Sequence, residues 1–262
     1  MMKILVSIVV SILFICSSIS ADSYCVMSGE DGNIIEEKDM HKQQSVASIS
    51  KIMTAIIVIE NGNLYDTWKC SDAIDKAYGS MLYLKKGQEV SVEMLLYGLL
   101  LRSGNDAAVE LAHHESGSIE AFVDRMNKKA KEIGLSQTHF VTPNGLDNEA
   151  HYTTARELAL LLRYFIRTSP KSKEFLKITR TAQYEFTDTT GKYSFSVYNH
   201  NAFLQMMDGA LTGKTGFTGK AGYCYVGALE RDGRLYIVSL LACGWPGNKS
   251  YKWADTKKLM NY

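Results

Sequence analysis

Ala47-Ser48-Ile49-Ser50-Lys51-Ile52-Met53-Thr54-Ala55-Ile56-Ile57-Val58-Ile59 is the stretch from which the fold can be read. Residues 52–59 are apolar at every position but one and Gly62 follows as a stop signal, so the pattern predicts a helix buried on all sides. Such a helix belongs at the centre of a core. Ser48 then stands at the helix N-terminus, with Lys51 one turn later on the same face. A serine hydroxyl is a weak nucleophile at neutral pH and needs a base beside it. A lysine held away from water loses enough basicity to serve. Free amides at the helix start favour developing negative charge. Taken alone, S-x-x-K equally describes a helix cap followed by a surface lysine.

Working outward, amphipathic spacing predicts three further helices, over 92–101 after Ser91, 119–133 between Ser118 and Gly134, and 156–166 after Thr153-Thr154. Thr154 and Glu157 fit a capping box. Alternating, β-rich runs follow at 193–198, 223–229 and 235–243, and 253–262 reads as a closing helix. Helices in the middle and strands towards the end predict an α+β domain on an antiparallel sheet. Three prolines, no repeat and no Gly- or Ser-rich linker predict a single domain.

The chain has 262 residues, 46% hydrophobic and 22% charged, with a formal net charge of +1, which excludes disorder and any global field for a nucleic-acid partner. No local basic stripe replaces that field. Lys3, the apolar run 4–15 and the small residues that follow have the layout of a signal peptide over 1–20, cut after Ser20, leaving 21–262 as the mature domain in the periplasm or outside the cell. Export would allow disulfides among Cys25, Cys70, Cys224 and Cys243. Cys224 and Cys243 flank the turn Arg231-Asp232-Gly233-Arg234, so they are either nearly opposite on a hairpin or simply buried thiols on adjacent strands. Six histidines, His41, His113, His114, His139, His151 and His200, form no H-E-x-x-H, and no metal or cofactor is expected.

Two short patterns give S-x-x-K a context. Ser103-Gly104-Asn105 precedes a helical run, and Lys214-Thr215-Gly216 lies just before the strand that begins near Tyr223. Ordered in this way, S-x-x-K, S-x-N and K-T-G form the motif set of active-site serine β-lactamases and penicillin-binding proteins. The chain resembles, from about Val46 onward, the low-molecular-mass penicillin-binding proteins that act as serine-type D-alanyl-D-alanine carboxypeptidases. The resemblance is carried by residues 47–55, by Leu99-Leu100-Leu101-Arg102-Ser103-Gly104-Asn105-Asp106-Ala107-Ala108, by Thr142-Pro143-Asn144-Gly145-Leu146 with His151-Tyr152-Thr153-Thr154-Ala155, and by Gly213-Lys214-Thr215-Gly216-Phe217-Thr218 with Ala221-Gly222-Tyr223-Cys224.

That resemblance implies a five-stranded antiparallel sheet flanked by helices, a helical lobe, and an active site in the cleft between them. It implies Ser48 as acylated nucleophile, Lys51 as general base and Ser103 as proton relay to the leaving group. Asn105 would bind the substrate's backbone amide. Lys214 and Thr215 would hold the carboxylate of a peptidoglycan stem peptide ending in D-Ala-D-Ala, with Gly216 letting the peptide lie against the strand. The backbone amides of Ser48 and Phe217 would form the oxyanion hole. β-Lactams would be acylating inhibitors. Many relatives continue into a β-rich domain and an amphipathic membrane anchor, and neither is expected here. A DD-endopeptidase acting on cross-links would use the same residues. A class A-like β-lactamase would need an E-x-x-L-N stretch, which the chain lacks, and a non-catalytic muropeptide-binding module would lose Ser48, Lys51 or Lys214, which are all kept.

Overall fold

The computed structural model describes residues 18–260. Nine strands are β1 (Ser23–Ser28), β2 (Ile34–Lys38), β3 (Thr67–Lys69), β4 (Glu89–Ser91), β5 (Gln183–Thr187), β6 (Ser194–Tyr198), β7 (Ala210–Thr218), β8 (Gly222–Arg231) and β9 (Arg234–Leu241). Eight helices are α1 (Lys51–Asn61), α2 (Val92–Tyr97), α3 (Asn105–Ser116), α4 (Ile119–Ile133), α5 (Ala155–Arg163), α6 (Ser172–Thr179), α7 (Phe203–Met206) and α8 (Tyr251–Met260). Five strands make one antiparallel sheet in the order β2-β1-β9-β8-β7, which leaves β7 as an edge. The α+β expectation and the five-stranded sheet are both met.

The sheet follows from its period-two alternation, which sends apolar side chains to both faces. Cys25, Met27, Cys224, Val226, Ala228 and Ile237 face the larger core, where α1 lies with every residue from Lys51 to Ile59 buried. Tyr24, Val26, Tyr225, Val238 and Leu240 face a second core closed by Phe203 of α7 and by Leu259 and Met260 of α8. Burying each large aliphatic side chain of α1 contributes about 1.5–3 kcal/mol, so this helix anchors the molecule. The β8–β9 hairpin turns at Asp232 (φ 50) and Gly233 (φ 71), the pair of left-handed residues that matches the twist of the strands.

Several local expectations are refined. Helix 119–133 has the predicted bounds, with Ser118 Oγ accepting from Ala121 N and Gly134 left-handed behind it. The helices expected over 92–101 and 156–166 stop earlier, at Tyr97 and Arg163, and each passes into one widened turn, Gly98–Arg102 and Tyr164–Thr168. The capping box is half made: Thr154 Oγ1 accepts from Glu157 N at 3.1 Å, while the Glu157 carboxylate turns away to Gln137 N and Thr138 Oγ1. All four described cysteines are free and buried. Cys224 and Cys243 belong to the cores on opposite faces of the sheet, so the hairpin cannot join them. Most of the expected leader, 1–17, lies outside the described residues, and Ser20 N donates to Asp255 Oδ2 of α8 at 2.7 Å. Among the described residues no helix is long and apolar enough to cross a membrane.

Candidate active site

The chain enters α1 through a single tight turn, Ala47–Ser50, whose first residue is left-handed (φ 50). Two glycines grip that turn from either side. A Cβ at Gly216 of β7 would stand 2.6 Å from Val46 O, and one at Gly145 (φ 81) would strike Ala47 O. Neither position admits a side chain without moving the turn that carries Ser48.

Lys51 follows, fully buried. Its Nζ donates to Asn105 Oδ1 and to Asn144 O, each at 2.7 Å, and stands 2.8 Å from Ser48 Oγ. Burial, and next the neighbouring Lys214 charge, hold its pKa well below the usual lysine range, with Asp106 acting the other way. A neutral amine has two N–H donors and one lone pair. Asn144 O is a carbonyl, and Asn105 presents its oxygen because its Nδ2 donates to Tyr78 O. Both donors therefore have acceptors, and the lone pair is left for the Ser48 hydroxyl. The arrangement can take a proton from Ser48.

The widened turn after α2 delivers the second motif, since Ser103 is left-handed (φ 66) where the turn ends and Asn105 starts α3. Asp106, fully buried beside it, accepts from Leu82 N and Leu84 N and so fastens the loop containing Ser80 against the site. Lys214 crosses from β7 to donate to Ser103 Oγ at 3.0 Å and to Thr215 O at 3.0 Å. Burial pushes the Lys214 pKa down to about 7. Since Ser103 Oγ accepts from Lys214, its own O–H proton can be given elsewhere.

A cleft of about 530 Å³ opens over Ser48, Ser103, Thr215, Gly216 and Phe217. Phe217 stacks on Tyr223 at 4.7 Å and meets the Trp245 ring edge-on at 5.0 Å, forming an aromatic wall beside the edge strand. The eight residues singled out from the sequence thus come together. Ser48, Lys51, Ser103, Asn105 and Lys214 share hydrogen bonds, and Thr215, Gly216 and Phe217 line the same cleft. One geometry differs from expectation, because both ends of the Asn105 amide are engaged, by Lys51 and Tyr78. Ser80, His200 and Lys252 also line the cleft and were not singled out. Asn144 contributes a backbone carbonyl, which has no side-chain signature in the sequence. The Pro-Asn-Gly turn around it was the available signal.

The chain as a whole is similar to known proteins. The family model described as D-alanyl-D-alanine carboxypeptidase matches residues 12–242. The chain is similar to the D-alanyl-D-alanine carboxypeptidase DacF of Bacillus subtilis, 30% identical over 92% of this chain and 61% of the relative, and to DacA of Escherichia coli, 31% identical over 93% and 60%. It therefore spans about three-fifths of the length of these two curated relatives. Among solved structures it resembles a DD-transpeptidase from Streptomyces, with a TM-score of 0.85 and 30% identity over 94% of this chain and 97% of that one. On the match to the family model and on these relatives, the chain belongs to the D-alanyl-D-alanine carboxypeptidase family.

Proposed function

We propose that the chain is a serine D-alanyl-D-alanine carboxypeptidase that removes the terminal D-Ala from peptidoglycan stem peptides through an acyl-enzyme on Ser48. The observation that carries this reading is Lys51 Nζ at 2.8 Å from Ser48 Oγ with both of its N–H donors already accepted. Ser48 Oγ attacks the carbonyl carbon of the penultimate D-Ala and its proton passes to Lys51. The amides of Ser48 and Phe217 receive the oxyanion, where losing one such donor typically costs about 3 kcal/mol. Ser103 gives its proton to the departing D-Ala nitrogen as the C–N bond breaks, and the proton taken by Lys51 is returned to Ser103, so that Lys51 is neutral again before deacylation. Water then attacks the ester, Lys51 takes its proton, and Ser48 is released with its hydrogen restored. Lys214 and Thr215 hold the substrate carboxylate. Asn105 keeps the Lys51 lone pair on Ser48, and Gly216 lets the peptide lie against the edge of β7.

On this reading residues 1–20 are a leader that exports the chain, the remainder is one catalytic domain working on the cell wall, and β-lactams acylate Ser48. The test is release of D-alanine from diacetyl-Lys-D-Ala-D-Ala by the wild-type chain and by Ser48→Ala. Release by the wild type and none by the variant is expected. Release by both, or by neither, overturns the reading.

A further inference from the structure

The surroundings of Lys51 come from two separate pieces of chain. The turn Ala47–Ser50 carries Ser48, and the segment 141–145 supplies Asn144 O, with Pro143 O also accepting from Thr54 Oγ1 of α1 at 2.6 Å. The His151 side chain bonds to both. Its Nδ1 accepts from Val141 N at 3.1 Å, at the head of the segment, and its Nε2 lies 2.7 Å from Ser50 Oγ in the turn. A backbone N–H can only donate, so Nδ1 carries no proton. The neutral ring must then carry its proton on Nε2 and donate to Ser50. The ring is 2% exposed, with Phe140 edge-on at 5.6 Å. Neither the turn nor α1 behind it has a side-chain cap at its N-terminus, and this bond ties the turn through a side chain to the segment that supplies Asn144 O.

We propose that His151 is a positioning residue for the reaction at Ser48: by bridging Val141 and Ser50 it fixes the separation of the Asn144 carbonyl from Ser48, and with it the direction of the Lys51 lone pair. This rests on the reading of Ser48 as nucleophile and Lys51 as base. Lys51, Asp147 and His139 are the charged or titratable groups that act on the ring, and burial pushes its pKa down to about 4, so the neutral bridge persists through neutral pH. His151 does not line the cleft over Ser48. Its loss therefore acts on proton transfer and leaves substrate contact alone.

The test uses Ser50→Ala, His151→Ala, His151→Gln and the double variant Ser50→Ala/His151→Ala in the full chain. It reads the rate of acylation by benzylpenicillin against pH, and KM for a D-Ala-D-Ala peptide. Both alanine variants should acylate about 10- to 100-fold more slowly, the scale of a small misplacement at a reacting centre, with KM unchanged. Their acid limb should move to higher pH, because water reaching Lys51 returns its basicity towards the ordinary value. His151→Gln should recover most of the rate, since an amide also offers one acceptor and one donor on a planar group, and the double variant should be no slower than His151→Ala. Wild-type rate and pH profile in folded Ser50→Ala, or a rise in KM that accounts for the whole loss, overturns the proposal. If His151→Ala fails to fold, Ser50→Ala and His151→Gln decide in the same way. A wild-type chain that takes up no penicillin overturns the reading of Ser48 as well, whereas wild-type behaviour in the variants overturns the bridge alone.

Discussion

Two buried lysines, Lys51 bonded to Ser48, Asn105 and Asn144 and Lys214 bonded to Ser103 and Thr215, have opposite duties on this account, and their titration separates them. Lys51 must be neutral to accept the Ser48 proton, and Lys214 must be charged to hold a carboxylate. Burial lowers both, Lys51 well below its usual range and Lys214 to about 7. The pH profile of kcat/KM should therefore be a bell, rising as Lys51 deprotonates and falling near pH 7 as Lys214 does. The falling limb of kcat should lie higher, because a bound carboxylate raises Lys214. A falling limb absent from the wild type, or one retained in a Lys214→Met variant, contradicts these roles. Stability carries a matching sign. Between about pH 10.5 and 7 the unfolded chain takes up a proton that folded Lys214 refuses, so stability declines as pH falls through that window. Lys51 adds a slope of the same sign. Lys214→Met should flatten the Tm profile there and raise Tm at pH 6, as thermal melts across pH will show.

Helix and turn geometry decide where those side chains point. Gly145 holds φ 81 with its missing Cβ facing Ala47 O, so Gly145→Ala should destabilise the fold by about 1–3 kcal/mol and displace the Ser48 turn, slowing acylation. Ser118→Ala removes only the N-cap of α4, and should cost about 1 kcal/mol with the acylation rate unchanged. Denaturant melts and acylation rates on the two variants separate a turn that carries the chemistry from a helix that only supports it. At this scale the sequence was partly legible. Ser48 with Lys51, the cap at Ser118 and the stop at Gly134 are local patterns, readable from spacing. The widened turn Gly98–Arg102 was not, because continuing apolar residues look helical until the chain must deliver Ser103 left-handed into the cleft. Nor could spacing show Asn144 O or the bond from His151 to Ser50, each of which joins residues about a hundred positions apart.

Across the whole molecule, alternation and a readable turn give only the β8–β9 hairpin, because β1 and β2 join it from the other end of the chain and β6 pairs with β5 outside the five-stranded sheet, while the fate of the cysteines depends on the backbone just beyond β9. Leu241, the last residue of β9, shares a core with Cys224, and the left-handed Ala242 (φ 50) beyond the strand then turns Cys243 into the other core. Burial raises Cys25, Cys70 and Cys224 to about 12 and Cys243 higher still. The folded chain should accordingly resist a thiol-alkylating reagent, and its Tm should be the same with and without reductant. A Tm that drops on reduction contradicts free thiols. The central claim concerns Ser48, and intact-mass spectrometry of the chain with benzylpenicillin tests it most directly. One penicilloyl adduct per wild-type chain and none on folded Ser48→Ala is the predicted result, whereas an unmodified wild type, or an adduct retained in the variant, would contradict it.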